Sequence, residues 1–243
     1  MRIAIFSDIH GNFDALQTVS GLLDTVDFFC ILGDIVGYGA EPEACVQWVM
    51  HRPDARVVMG NHDAACVGVL PLTWFNPIPK RALRWTCQHL SKESTTYLQT
   101  LPQTIPQLHG ALWVHGSPRH PLEEYIDHPV VAQEVFVSSD FPVCFYAHTH
   151  QAEAYILHEG RLLHPRFQQG GEIILHPGKR YLINCGSVGQ PRDGNSQASF
   201  GLFDTEKGVV KIQRTEYNME SAAEKIREAG LPEELALRLF LGQ

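Results

Sequence analysis

Metal-capable side chains stand where five apolar runs of this sequence stop: Asp8 and His10 in "IFSDIHGN", Asp34 in "CILGD", Asn61 in "VVMGNHD", His115 in "LWVHG", and His148 with His150 in "FYAHTH". Two carboxylates, four imidazoles and an amide oxygen are more donors than one tetrahedral zinc takes. A mixed nitrogen and oxygen set without sulfur suits borderline divalent ions such as manganese, iron, zinc or nickel. Two ions share the donors more naturally than one, and a carboxylate such as Asp34 can bridge ions about 3.5 to 4 Å apart, the separation found in two-metal hydrolytic sites. Taken singly, Asp8 or Asp34 reads as a cap, Asn61 beside Gly60 as a turn residue, and each histidine as a satisfied polar side chain. That reading gives no reason for five separate apolar strands to end in the same kind of group. Residues at i and i+2 of an extended chain point to one side, so Asp8 with His10, and His148 with His150, are expected to offer paired donors from extended segments.

The elements that must position these groups follow from hydrophobic period. Residues 2–7 read as a buried strand, Leu16, Val19 and Leu23 as one helix face, and 27–32 and 56–59 as further strands, with a helix over 41–51 that tolerates Pro42 in its first turn. Strand, helix, strand crossovers build a parallel sheet whose chemistry gathers at the strands' carboxyl ends. Leu83, Cys87, Leu90, Tyr97 and Leu101 predict one long helix from about Pro79. Thereafter strands dominate: 105–108 and 111–114 around a His-Gly turn, 143–147, 154–157 and 161–163 around Glu159-Gly160, 181–184, and a hairpin through 204–212. Ser221 and Glu224 read as a capping box, Gly230 as the end of that helix, and Pro232 as the start of the last one. Crossovers first and hairpins later imply one domain over 1–243, built of two facing sheets covered outside by helices.

Composition narrows the partners. With 19 basic and 27 acidic residues the net charge is −8, which disfavours a broad non-specific grip on nucleic acid. No run is long enough to cross a bilayer and no signal-peptide pattern opens the chain, so a cytoplasmic location is expected. The six cysteines form no CxxC pair and read as reduced packing residues.

In order, "SDIHGN", "GDIVGYG", "GNHD", "VHGS" and "AHTH" resemble the calcineurin-like metallophosphoesterases, more closely their small bacterial and archaeal phosphodiesterase branch. "NCGSVGQPRDGN" and "AAEKIREAGLPEELALRL" carry the resemblance nearly to the C-terminus. It implies a four-layer α/β/β/α sandwich of two facing mixed sheets. It also implies Asp8, His10 and His150 as ligands of a first metal, Asp34 as the bridge, Asn61, His115 and His148 as ligands of a second, and His62 as proton donor. Manganese is the favoured ion. Two cations would lower the pKa of a shared water, so that a metal-bridging hydroxide attacks phosphorus.

Some positions depart from the relatives. Where related protein phosphatases read GDxVDRG, Gly37 and Tyr38 stand in place of the acid that orients the histidine and the arginine that grips phosphate. Ala147 replaces the glycine of GHTH. Arg119 and Arg192 are the candidate phosphate clamp, Asn61 a further substrate contact, and Tyr38 a candidate stacking surface. His120 and His128 are placed at the pocket border, and the remaining histidines at the surface or in packing. The preferred function is a dimetal phosphodiesterase acting on a nucleotide or other small phosphate ester. The alternatives are a phosphomonoesterase or diadenosine polyphosphate hydrolase, and a non-catalytic metal-binding scaffold. The oligomeric state is not legible.

Overall fold

Alternation along the buried strands sets the layers. In β1 (Arg2–Phe6), Ile3 and Ile5 face one core while Ala4 and Phe6 face another, and Cys30 opposes Phe29 and Ile31 in the same way in β2 (Phe28–Ile31). A strand covered on both faces needs apolar residues at every position, which is why these runs are continuous rather than alternating with polar residues. A computed structural model describes residues 1–23 and 25–243.

The first sheet has the order β3-β2-β1-β11-β12-β9, where β3 is Ala55–Val57, β9 Gly171–Ile174, β11 Ala198–Asp204 and β12 Val209–Thr215. β1, β2 and β3 are parallel, and β1 pairs antiparallel with β11, so both ends of the chain build this sheet. The second has the order β4-β5-β6-β10-β7-β8: β4 Thr104–Leu108, β5 Ala111–Val114, β6 Val143–Tyr146, β7 Ala152–His158, β8 Arg161–Leu163 and β10 Arg180–Cys185. It too is mixed, with β5, β6 and β10 parallel and β7 antiparallel to β10. Ile3, Ile5 and Val210 of the first sheet meet Trp113, Phe145 and Ile183 of the second in the middle core. Outside the first sheet lie α1 (Phe13–Ser20), α2 (Pro42–Met50), α3 (Asn61–Cys66), α4 (Pro77–His89), α5 (Lys92–Gln99), α7 (Met219–Glu228) and α8 (Glu233–Leu241). Outside the second lies α6 (Pro129–Ser138), whose Ala132, Val135 and Phe136 pack on Cys144, Tyr146 and Leu182. The four-layer α/β/β/α sandwich expected from the sequence is therefore the observed fold.

Several elements differ from the pattern. The single long helix is two, because Leu90 is extended and Ser91 caps α5, its Oγ accepting the Ser94 N–H at 3.0 Å while its own N–H donates to Glu43 at 2.9 Å. Leu83, Leu98 and Leu101 still reach one core, which is why the seam reads as unbroken. Asn218, not Ser221, caps α7, and the Ser221 hydroxyl instead donates to Asp14. α3, α6 and β9 carry no period long enough to read. Among the described residues no helix is long and apolar enough to cross a membrane.

Candidate metal centre

The strands deliver their donors through strained turns rather than extended ends. Asp8, His10, Asp34, Tyr38, His148 and His150 all have positive φ, between 50° and 69°. The i, i+2 extended geometry expected for Asp8–His10 and His148–His150 is thus corrected. β1 ends at Phe6 and β6 at Tyr146, and the residues beyond turn through left-handed conformations that non-glycine residues hold only when their surroundings fix them, at a cost of about 1 to 3 kcal/mol each. What fixes them is backbone pairing between loops. Asp8, His10 and Gly11 donate to the carbonyls of Gly33, Asp34 and Ile35 at 2.9 to 3.1 Å. The segment after β10 completes the brace, with the Ser187 hydroxyl and the Gly189 N–H both donating to the Asp8 carbonyl at 2.8 and 3.0 Å.

All seven proposed donors are buried, and their atoms converge in two groups that share one carboxylate: Asp8, His10, Asp34 and His150, and Asp34, His115 and His148. Asn61 joins the second group, its Oδ1 2.9 Å from His115 Nε2. Asp34 Oδ2 lies 3.5 Å from both His10 Nε2 and His115 Nε2, and Asp8 Oδ1 lies 3.4 Å from His150 Nε2.

The proton positions show what these groups await. The Nδ1 atoms of His10, His150 and His115 sit 3.0, 2.6 and 2.7 Å from the carbonyl oxygens of Val36, Gln190 and Leu32. A carbonyl only accepts, so each Nδ1 carries the proton and each Nε2 a lone pair. The Nε2 atoms of His10 and His150 nevertheless face each other at 3.1 Å, two lone pairs that cannot bond to one another. Both oxygens of Asp8 are buried without a hydrogen-bond partner. Converging lone pairs and an orphan carboxylate fit divalent cations and fit little else. Burial pushes the Asp8 carboxyl up to about 7, and burial with the neighbouring Asp63 raises Asp34 well above its ordinary value. Burial, with neighbouring histidines and Arg192, holds His10, His148 and His150 far below the usual imidazole range, so these rings stay neutral and open as ligands.

His62 sits beside this rim at the start of α3, one residue after Asn61. Its N–H donates to Asp34 Oδ1 at 2.8 Å. Gly60 allows that approach, since a Cβ there would lie 2.1 Å from the same oxygen. Among the described residues no acid orients the ring, because Nδ1 is buried without a partner. Packing replaces the acid: the ring centroid lies 4.5 Å from Tyr38, 4.7 Å from His10 and 5.1 Å from Phe75. The Gly37 backbone lies against Nδ1. A Cβ at Gly37 would stand 2.2 Å from Nδ1, at φ +94°. Gly37→Ala is therefore expected to displace the His62 ring, cutting kcat by about 100-fold, the low end of what a general acid contributes, with the metal content of the purified protein unchanged. Elemental analysis alongside steady-state rates checks the split.

Asp63, quoted in "GNHD" but given no role from sequence, is a positioning residue. One carboxylate oxygen accepts the N–H groups of Ile35 and Val36, the other that of Gly60, tying the two loops that carry Asp34 and His62. Arg192 adjoins the rim, its guanidinium 5.3 Å from the Tyr38 ring centre and donating to Gln190 at 2.9 Å. Arg119 is placed otherwise. It is engaged by Glu124 and by Glu134 at 3.0 Å and does not line the cavity beside the rim. His120 is exposed and His128 caps α6, so neither borders the cavity. The Ala147 methyl is absorbed in the middle core, and its N–H still donates to the His115 carbonyl at 2.8 Å. The sequence pattern also missed Tyr125, which stacks on His148 at 3.7 Å, because it lies in a loop without a period.

Two facing mixed sheets, with carboxylates and imidazoles gathered at their common rim in two donor groups, define the metallophosphoesterase class. More narrowly, the family model of calcineurin-like phosphoesterases matches residues 1–152, and the chain belongs to that family. It is 39% identical over 248 residues to an uncharacterized protein of Methanocaldococcus jannaschii, covering 99% of this chain and 98% of the relative. A metallophosphoesterase structure from Sphaerobacter thermophilus superposes with a TM-score of 0.89 at 40% identity, covering 100% of this chain and 99% of that one. A hypothetical protein from Pyrococcus horikoshii shares the fold at a TM-score of 0.77 and 22% identity, covering 100% and 98% of the two chains.

Proposed function

We propose that this chain hydrolyses a phosphodiester of a nucleotide or other small phosphorylated molecule, using two divalent transition metal ions, with manganese favoured. The observation that carries the reading is the pair of donor groups sharing Asp34, in which His10 and His150 present lone pairs to one point. In this reading Asp8, His10, Asp34 and His150 hold one ion, and Asp34, Asn61, His115 and His148 the other. Bound there, the ions supply an activated water and neutralise phosphoryl charge.

The chain's own residues do the rest. Asn61 and Arg192 line the cavity beside the donors and orient the phosphoryl oxygens by donating hydrogen bonds. The Nδ1 edge of His62 is packed against Gly37, so Nε2 is the edge that faces the leaving group. Burial, Arg192 and His115 hold His62 well below its ordinary pKa, so the ring is neutral in the free protein. An anionic substrate favours the charged ring, and His62 then hands its proton to the departing alkoxide. Support for a diester over a phosphoprotein comes from Gly37 and Tyr38, which leave this loop without the acid and arginine of the protein phosphatases.

Hydrolysis of bis(p-nitrophenyl) phosphate and p-nitrophenyl phosphate by chelated protein reconstituted with manganese, nickel or zinc tests the reading. Diester hydrolysis exceeding monoester hydrolysis, and abolished by chelator, is the expected result. A monoester preference would reassign the substrate, and tight metal binding without turnover on either ester would leave a scaffold.

A further inference from the structure

Beside the rim opens a cavity of about 640 Å³, a size that takes a nucleotide. Its walls are apolar and aromatic, with Trp74, Phe75, Ile78 and Tyr125 among them, and two arginines line it, Arg192 and Arg238. Trp74 and Tyr125 are 40% and 41% exposed, large rings left open where a core would bury them. Trp74 lies 24° from parallel to the His148 ring at a centroid separation of 6.5 Å, so a flat face is presented beside the second donor group.

The arginines are the unusual part. Elsewhere among the described residues a half-buried arginine meets a carboxylate or a set of carbonyls: Arg52 meets Asp54, Arg119 meets Glu124 and Glu134, Arg214 meets Asp193, and Arg180 meets the carbonyls of Phe136, Ser139 and Phe141, although Arg52 and Arg214, like Arg192, leave a buried Nε without a partner. Among the described residues Arg192 reaches only the Gln190 amide oxygen, with its Nε buried and unpartnered, and the Arg238 side chain reaches no oxygen. A guanidinium that lines a cavity and meets no carboxylate there is available to an anionic group of a ligand. The two are not equivalent. Arg192 lies over the Tyr38 ring at the rim, whereas Arg238 enters the cavity from α8.

The geometry points to a nucleotide that carries two anionic groups on its sugar: its scissile phosphate meets Arg192 at the rim, its base lies on Trp74, and its second phosphate meets Arg238. This rests on the phosphoester reading above and adds to it the substrate's second charge. Stacking supplies affinity without base selectivity, since every base has a π face. The second phosphate supplies the discrimination.

Equilibrium binding is the direct test, with adenosine 5′-monophosphate and adenosine 3′,5′-bisphosphate titrated calorimetrically into manganese-loaded protein. The wild type is expected to prefer the bisphosphate by roughly ten- to hundredfold, the scale of a charge-assisted hydrogen bond. Arg238→Gln removes that preference, Arg238→Lys restores part of it, and Trp74→Ala weakens both nucleotides about tenfold, as loss of one stacked base does, while leaving inorganic phosphate binding unchanged. Equal affinity for the two nucleotides in the wild type, or a preference that survives Arg238→Gln, overturns the inference. Bis(p-nitrophenyl) phosphate hydrolysis by the wild type separates this from the earlier reading. Turnover without bisphosphate preference sinks only the second-phosphate site, and no turnover sinks the phosphoesterase.

Discussion

Asp34→Asn is expected to abolish phosphoester hydrolysis and weaken metal binding by at least about 100-fold, since even outer-shell partners of a metal site are worth about 10- to 100-fold in affinity. The same substitution is expected to make the metal-free protein more stable above neutral pH. The two signs have one cause. Asp34 contributes to both donor groups, so its charge is the one that no single neighbour replaces. Without a cation that charge is buried beside Asp63, and its pKa lies well above the ordinary 3.8. A raised carboxyl pKa means the folded protein binds more protons than the unfolded chain from about pH 4 upward. Stability of the chelated protein therefore falls as pH rises through that window, and Asp8, pushed up to about 7, adds to the slope. The amide introduced by Asp34→Asn keeps an acceptor for the His62 N–H, and it can donate toward the lone pairs of His10 or His115, where Asp34 Oδ2 now lies 3.5 Å away. The expected gain in chelator at pH 8 is about 1 to 3 kcal/mol, the cost of an unsatisfied buried polar group, shrinking toward about pH 5. Thermal melts of both proteins at the two pH values, with chelator and with excess manganese, read both effects. A variant less stable than wild type in chelator at the higher pH, or one that gains as much from manganese as wild type, would show that Asp34 is an ordinary structural carboxylate.

The layers and the donor set were legible in the sequence for one reason: a strand buried on both faces is apolar throughout, so any polar residue at its end stands out. Ile3 to Phe6 followed by Asp8, and Val143 to Tyr146 followed by His148, are such signals. What escaped was set by backbone conformation and by loops. The positive φ of Asp8 and His10 is held by hydrogen bonds with distant segments, and nothing local announces it. The role of Gly37 is visible only once the His62 ring is seen packed on it. Arg119 and Arg192 look alike in sequence, each in a loop with a proline nearby. Only the position of Glu124 and Glu134, which engage Arg119, distinguishes the neutralised arginine from the one left open to an anion. Trp74, Tyr125 and Arg238 come from three separate segments, and their convergence on one cavity has no sequence period to betray it.

His62→Ala is expected to lower kcat by about 10² to 10⁴ on a substrate with an alkoxide leaving group, the usual range for loss of general acid catalysis, without changing metal content. The ring contributes no atom to either donor group, and its link to Asp34 runs through its backbone N–H, which alanine keeps. A kinetic split distinguishes proton donation from a merely structural role. A p-nitrophenolate leaves readily without a proton, so the same variant should lose far less on bis(p-nitrophenyl) phosphate than on a dinucleotide. Collapse of the His62 cage would instead slow both substrates alike, because Tyr38 and Phe75 would repack beside His10 of the first donor group whatever leaves. Equal losses on the two esters, or a fall in bound metal parallel to the fall in rate, would place His62 in the scaffold of the site instead of at the leaving group. The contrast is sharpened by the absence of an orienting acid among the described residues. With Nδ1 unpartnered, the ring is held by shape alone, so its contribution should lie toward the lower end of that range, and Gly37→Ala should reproduce part of the same leaving-group dependence with the histidine still present.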